Sequence, residues 1–372
     1  MKIAYLSSSV IPSRTANSIH VMKMCQAFAK NGHEVLLFCA KAKGEQKDGT
    51  VNEFAYYGVD PVFEIRKLPW PNIKGKAIIY VLSMAYHAKK AKPDVVYGRH
   101  IFGCFAAAFL GLKTVVEIHK PPADDGVITS FIFKQLLKSP NLMRVVVISK
   151  ALKDYLGSRY KITDKLIKVA HDGADVPNRN SQQERVKENG RMQAGYLGHL
   201  YPGKGAELVY EIAKLCPWAD FHLVGGAEKD ILLWKEKAKG MPNIIFHGFV
   251  VPSKTEALCA SFDVLLAPYQ TKVALHSGKG DTSKWMSPLK IFEYMASGRP
   301  IICSDIPVLR EILKHNCTAF LCPPREVNAW CKALETLRDN PSLRRSMAQK
   351  AKEEFLALYT WQSRATKVLD GI

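Results

Sequence analysis

Three stretches of the 372-residue chain carry side chains whose types and spacing suit chemistry on a phosphorylated ligand. The first is SPLKIFEYMASGRPII, residues 287–302. Ser287 is a good helix N-cap and Pro288 a good first helical residue. Leu289, Phe292 and Met295 or Ala296 recur at helical spacing, Gly298 suits the stop, and Pro300 lies beyond it. A helix N-terminus offers free N–H groups and the positive end of a dipole, which favours a phosphate or diphosphate. Glu293, near mid-helix, has a carboxylate able to accept from two neighbouring ribose hydroxyls. The competing reading is an ordinary amphipathic helix with Glu293 paired to Lys290. The second stretch is GHLYPGKG, residues 198–205, between an expected strand and an expected helix. Backbone N–H groups and the Lys204 ammonium converge in such a turn. It is not a nucleotide P-loop, because Gly205 follows the lysine where Ser or Thr is required. The third group is scattered through the first half. Arg99, His100 and His119 end two short apolar runs, and the polar loop after the first strand offers Ser9, Arg14, Asn17 and His20. His20 either faces the ligand-binding edge or lies on the surface.

These side chains need a scaffold, and the pattern of apolar runs supplies one. A strand over 2–6, a helix over 18–30 and a strand over 34–40 make a right-handed βαβ unit. Strands follow at 63–68, 94–98, 114–118 and 144–148, with helices over 77–91, 101–110 and 149–160. Residues 178–192 are polar without apolar periodicity and read as a linker. The plan resumes with strands at 194–197, 221–224, 244–246, 264–267, 301–303 and 318–322. Helices are expected over 206–215, 308–313, 327–338 and 343–359. In open α/β sheets ligands bind beyond the carboxyl ends of the strands, which is where Arg99, His119, Lys204 and the 287–293 segment fall. The loop 270–286, with His276, Lys279, Asp281 and Trp285, is long enough to be functional.

The 287–302 stretch resembles the nucleotide-sugar signature of the retaining, family 4-like glycosyltransferases. That resemblance implies the GT-B fold: an α/β chain of two Rossmann-like domains facing a cleft, with a C-terminal helix crossing back to the first. It divides the chain into an acceptor-binding domain over 1–180, a nucleotide-sugar domain over 190–355 and a returning segment over 356–372. Carried over by position, Ser287, Pro288, Leu289 and Lys290 hold the donor diphosphate and Glu293 takes the ribose. Lys204 neutralises the leaving diphosphate within the Gly203 turn, and the arginine expected five residues before it is His199. Phe249 and Val250 lie against the base, and His119 lies beside the donor sugar. Lys204, His119 and Glu293 are thus the implied catalytic set, and Arg14, Asn17, His20 and Arg99 the candidate acceptor contacts. The family's second glutamate is replaced by Trp285, which departs from the pattern near the donor sugar. The implied reaction moves a sugar from a UDP- or GDP-type donor to a glycan or lipid-linked acceptor, with retention and with no cofactor or metal. Surface polysaccharide or glycolipid synthesis is the expected setting. An epimerase on a similar scaffold, or a non-catalytic nucleotide-sugar-binding relative, remain the alternatives.

Composition bounds the rest. With 47% apolar residues the chain has material for full cores. Nine cysteines show neither paired metal spacing nor a compact framework, and read as reduced thiols of a cytoplasmic protein. The net charge of +19 is unevenly placed: residues 1–180 hold 27 Lys and Arg against 14 Asp and Glu, the remainder 26 against 20. The basic half suits an anionic acceptor or the anionic inner face of a membrane, unless the excess is simply general basicity. Nucleic acid is disfavoured, because the chain has no RNP-type aromatic motif, zinc finger or arginine-rich tail.

Overall fold

The computed structural model describes residues 1–41, 52–70, 75–177, 189–273 and 281–372. The chain forms two compact α/β units: Met1–Asp172 with Trp361–Ile372, and Gly173–Thr360.

Unit 1 runs β1 (Lys2–Val10), α1 (Ala16–Lys30), β2 (Glu34–Ala40), α2 (Glu53–Tyr57), β3 (Glu64–Leu68), α3 (Lys76–Lys90) and β4 (Val95–Gly98). It continues with α4 (Ile101–Phe109), β5 (Thr114–Ile118), α5 (Val127–Leu136), β6 (Leu142–Val147), α6 (Lys150–Tyr160) and β7 (Ile167–Val169). The seven strands are parallel where paired, in the order β3-β2-β1-β4-β5-β6-β7. Ile3 to Leu6 are wholly buried, as a strand covered on both faces requires. β1 extends four residues beyond the expected strand. After an irregularity, Val10 pairs with Ala40, so the serines of 7–9 are extended chain rather than loop. Thr15 caps α1 by accepting from the Ser18 N–H, which starts the helix two residues early. The strand order reverses between β1 and β4, and the crevice at their carboxyl ends is the topological switch point.

Unit 2 runs β8 (Met192–Leu197), α7 (Ala206–Leu215), β9 (Ala219–Val224), α8 (Glu228–Lys237), β10 (Ile244–Gly248), α9 (Thr255–Ala260) and β11 (Val264–Ala267). Next come α10 (Leu289–Ser297), β12 (Ile301–Ser304), β13 (Phe320–Cys322), α11 (Val327–Asp339) and α12 (Pro341–Leu358). The sheet order is β10-β9-β8-β11-β12-β13, again parallel, with its switch point between β8 and β11. Its core is built from Tyr196, Ile212, Phe221, Leu266, Ile302 and Trp330. The helix expected over 308–313 is a single 3-10 turn, Leu309–Glu311.

The last helix, α13 (Trp361–Leu369), belongs to unit 1 and buries Trp361, Val368 and Leu369 there. It packs on α1, where the Asn31 amide donates to the Gln362 carbonyl at 3.0 Å. The chain passes between units at 172–173 and 360–361. The Ala174 N–H donates to the Tyr359 carbonyl at 3.1 Å, and Ala174 bridges to Thr360 in parallel, which ties 173–177 to unit 2. The expected linker lies outside the described residues over 178–188, as do His276 and Lys279. No helix among the described residues is long and apolar enough to cross a membrane.

Candidate active site

In unit 2 the ends of β8, β9 and β10 are drawn together by backbone contact. The Gly198 N–H donates to the Val224 carbonyl at 2.8 Å, and the Gly225 N–H to the Gly248 carbonyl at 2.7 Å. Phe249 and Val250 follow at once, so the candidate base contacts share an edge with the 198–205 turn. Within that turn Gly205 has φ +98°, and a Cβ there would lie 2.0 Å from the Pro268 carbonyl oxygen. Only glycine lets the loop after β8 lie this close to the end of β11. Gly203 is held the same way, with φ +86° and a Cβ position 2.2 Å from the Lys272 oxygen.

These close approaches seat Lys204 over aromatic faces. Its ammonium lies 5.5 Å from the ring centroids of Tyr201 and Tyr269. Burial pushes its pKa down to about 8. Lys290, in the first turn of α10, points into the same place, 4.2 Å from the Tyr196 ring and 4.8 Å from Tyr269. Its Nζ is buried and has no hydrogen-bond partner. Burial, and then the charge of Lys204, bring it to about 7. An unsatisfied buried ammonium such as that of Lys290 is costly, and with the half-buried Lys204 ammonium facing the same ring the site is short of an anion. The Tyr196 hydroxyl donates to the His199 carbonyl, and the His199 ring stacks on Tyr201 at 5.1 Å. His199 therefore borders the lysine site.

Helix α10 is aimed by Tyr294, whose hydroxyl accepts from the Leu197 N–H at 2.9 Å and donates to the Leu266 carbonyl at 3.3 Å. The helix begins one residue later than expected. Pro288 is the N-cap, with extended backbone, and it offers no capping side chain; Ser287 is buried before it. Gly298 closes the helix in the left-handed conformation at φ 66°. Leu289 and Lys290 thus form the first turn and Glu293 is half-buried one turn on. Asp281 accepts from the N–H groups of Val273 and Ser283, both at 2.9 Å, so it braces the end of the 270–286 loop.

Unit 1 holds a cavity of about 150 Å³ at its switch point. Ser7, Asn17, Arg99, His119, Lys120 and Asp125 line it. The Asn17 amide donates to the Ser9 hydroxyl at 2.6 Å, and Lys120 pairs with Asp125 at 2.5 Å. Three of the four candidate acceptor residues separate here. Asn17 and Arg99 line the cavity; Arg14 is exposed and is not among its lining residues. His20 corrects both readings offered for it. It is neither on the surface nor turned to the cavity but 1% exposed, with Nε2 3.0 Å from Glu117 and Nδ1 3.0 Å from Asp172. Its ring is clamped edge-on between His119 and Trp361, at 5.0 and 5.3 Å.

Glu117 is the centre of that buried group. It accepts from Tyr97, from His119 Nε2 and from Arg364 of α13, the last at 2.9 Å. Burial opposes its charge, yet Arg364, His20 and His119 together hold its carboxyl well below the usual range. Asp172 is brought to about 2, against its burial, by His20, His119 and Arg364. His119 goes down to about 4, because burial and Arg99 outweigh Glu117. It is therefore a neutral imidazole, fixed through Nε2 and facing the cavity. Ligand atoms of His20, Glu117, His119 and Asp172 lie within 4.8 Å of one another, a spacing that also suits a metal. The guanidinium of Arg364, 2.9 Å from Glu117 and 3.8 Å from Asp172, already meets both carboxylates, which favours an ion-pair network. Asp172 and Arg364 escaped sequence reasoning because nothing local marks them. Glu117 had a signal, a lone acid inside the apolar run TVVEI.

Comparison with known proteins agrees with this architecture. The family model for glycosyl transferases group 1 matches residues 191–340, and that for glycosyltransferase family 4 matches residues 18–177. An uncharacterized glycosyltransferase of Methanocaldococcus jannaschii is 21% identical, the alignment covering 100% of this chain and 97% of that protein. The O-antigen chain mannosyltransferase RfbU of Salmonella typhimurium is 24% identical over 61% of each chain. Among solved structures, Anabaena HepE in complex with UDP superposes with TM-score 0.74 at 15% identity, over 99% of this chain and 98% of that one. WaaG, a glycosyltransferase involved in lipopolysaccharide biosynthesis, superposes with TM-score 0.67 at 14% identity, over 99% and 100%. The fold is GT-B, and the chain belongs to the group 1, family 4 glycosyltransferases.

Proposed function

We propose that this glycosyltransferase moves a sugar from a nucleoside-diphosphate donor of UDP or GDP type to a glycan or lipid-linked acceptor. Retention of configuration, and a setting in surface polysaccharide or glycolipid synthesis at the cytoplasmic face of a membrane, complete the proposal. The observation that carries it is the pair of ammonium groups, Lys290 buried and Lys204 half-buried, facing Tyr269 at the switch point of unit 2. They match a diphosphate in charge, and fixed cations in a dry site stabilise a leaving group as its charge develops. The mechanism asks for no metal or cofactor, since lysines and the α10 N-terminus supply the positive charge. Glu293 takes the ribose, Phe249 and Val250 the base, and His119 the donor sugar. Arg99 and Asn17 take acceptor hydroxyls in the unit 1 cavity. Support for the donor comes from HepE, solved with UDP and with UDP-glucose, and for the setting from WaaG and the O-antigen mannosyltransferase.

The test is thermal stabilisation by UDP, GDP, ADP and TDP, for the wild type, Lys204→Ala and Glu293→Ala. Ligand at about 100 times its Kd adds about 2.7 kcal/mol to stability. One diphosphate should shift the wild type and neither variant. No shift with any nucleotide, with or without an acceptor extract, would remove the transferase reading in favour of a relative with a lost site.

A further inference from the structure

We propose that the outer face of the α3–α4–α5 layer of unit 1 is a docking surface for an anionic lipid bilayer. In unit 1 the crossovers leading rightward along the sheet, α3, α4, α5 and α6, lie on one side, and α1, a leftward crossover, lies on the other with α13 packed on it. α4 packs between α3 and α5. On the solvent side of this layer, Ile78 and Leu82 of α3, Phe109 of α4, and Val127, Ile128 and Phe131 of α5 leave more than half their surface bare. Scattered exposed hydrophobics are ordinary, but a run of them across three neighbouring helices is not.

Charge selects the partner. Residues 75–92, 101–113 and 127–138 contain seven lysines and no Asp or Glu. Lys89, Lys90, Lys92, Lys113, Lys134 and Lys138 are exposed. A second copy docking by α3, α4 and α5 would set lysine against lysine with no carboxylate on those helices to answer. An anionic headgroup layer answers every one of them, while Leu82, Phe109 and Phe131 enter the acyl boundary. The position fits as well. α5 begins at Val127, two residues after Asp125, which lines the unit 1 cavity. A lipid-linked acceptor lying in the bilayer would therefore present its head to the cavity beside the face that holds its membrane.

This deepens the reading above on its acceptor side, and rests on that reading only for the role of the bound membrane. The experiment is co-flotation of the full chain with vesicles of phosphatidylcholine alone and of phosphatidylcholine with phosphatidylglycerol, at low and at 0.5 M salt. The wild type should float with the anionic vesicles at low salt and largely stay behind otherwise. Leu82→Glu with Phe131→Glu should cut partitioning at least tenfold, with melting temperature and nucleotide binding unchanged. Lys89→Gln with Lys90→Gln and Lys134→Gln should weaken it severalfold and flatten the salt dependence. Three outcomes overturn the proposal: no flotation of a wild type that still binds its nucleotide, flotation that neither variant reduces, or a soluble dimer that Leu82→Glu with Phe131→Glu dissolves. Loss of nucleotide binding with flotation intact would instead sink the donor assignment and leave this surface standing.

Discussion

Lys204 and Lys290 hold their ammonium groups over the same ring, 5.5 and 4.8 Å from the centroid of Tyr269. They come from opposite sides of the switch point, one in the turn after β8 and the other in the first turn of α10. The ammonium that stands beside Lys204 here is that of Lys290. Tyr269 offers the charges a weak partner, and a diphosphate offers a strong one. The arrangement is thus poorer in energy when empty than an apolar packing would be, and under the proposed function a bound diphosphate removes that cost.

Lys290→Met tests that claim through two opposite signs. The variant replaces a buried, unpartnered ammonium with an apolar chain of similar length. The free protein should melt about 2 °C higher or more, on the scale where 1 kcal/mol moves a domain of this size by a few degrees. Affinity for the matching nucleoside diphosphate should fall tenfold or more. Calorimetry of the free protein and titration with nucleotide check the two halves separately. A variant that loses both stability and affinity would show that Lys290 is structural.

Binding should also depend on pH with a determined direction. The free site has Lys290 near about 7 and Lys204 near about 8, and a bound diphosphate raises both. Affinity is then full below pH ~7 and falls as the lysines lose their protons, at least tenfold between pH ~7 and ~9. Stability of the empty protein moves the other way over this range, because the unfolded lysines still hold their protons there. Proton uptake on binding at pH 8, read from the buffer dependence of the calorimetric enthalpy, should approach one proton or more. Zero uptake would place the diphosphate elsewhere.

Gly205→Ala probes the loop without touching a charge. The new Cβ would meet the Pro268 oxygen at 2.0 Å, and φ +98° is unfavourable for any L side chain. The 198–205 turn must then move away from the end of β11 and carry Lys204 with it. Nucleotide-induced stabilisation should vanish while unit 2 stays folded by circular dichroism. Gly240→Ala is the control: its φ of +84° is also unfavourable, but nothing lies within 4 Å of its Cβ, so binding should persist.

Much of unit 2 was legible because its signals are local. β11 and α7 fall on the expected residues, and Gly298 ends α10 as a left-handed cap, since periodicity and stop residues act within one turn. Lys204 and Lys290 lie in the two motifs the sequence singles out. Of their three tyrosine partners, Tyr201 lies in the 198–205 motif itself, whereas Tyr196 in β8 and Tyr269 after β11 carry no common mark. Unit 1 shows the same limit more sharply. His20, Glu117, Asp172 and Arg364 are far apart in the chain, and a histidine near a helix start reads as exposed until the fold closes over it. The extension of β1 through three serines was equally hidden, because the pairing of Val10 with Ala40 and the Tyr80 hydroxyl on the Ser7 carbonyl, not propensity, hold that segment.

The buried network of unit 1 makes the last prediction. Glu117→Gln leaves the buried Arg364 guanidinium with Asp172 alone, 3.8 Å away, so it should cost part of the ~3–5 kcal/mol typical of breaking a buried ion pair. Glu117→Gln with Arg364→Met should lose less than the two single variants added together, by 1 kcal/mol or more, although Arg364 also donates to the carbonyls of Ala170 and His171. Urea unfolding of the four proteins measures that coupling. The pH dependence follows from the same residues. Asp172 and Glu117 are held ionised below their usual range, so what they contribute is present above pH ~4 and lost as pH falls toward ~2. His119, lowered to about 4, adds to the acid sensitivity: the unfolded chain takes up its proton first, and stability falls as pH drops from ~6.5 to ~4. His119→Gln should remove this upper part of the acid limb, so that the melting temperature becomes flatter between pH ~6.5 and ~4.5. An unchanged slope there would mean that His119 is already protonated in the folded protein, and that Glu117 holds an imidazolium against the cavity instead of a neutral ring.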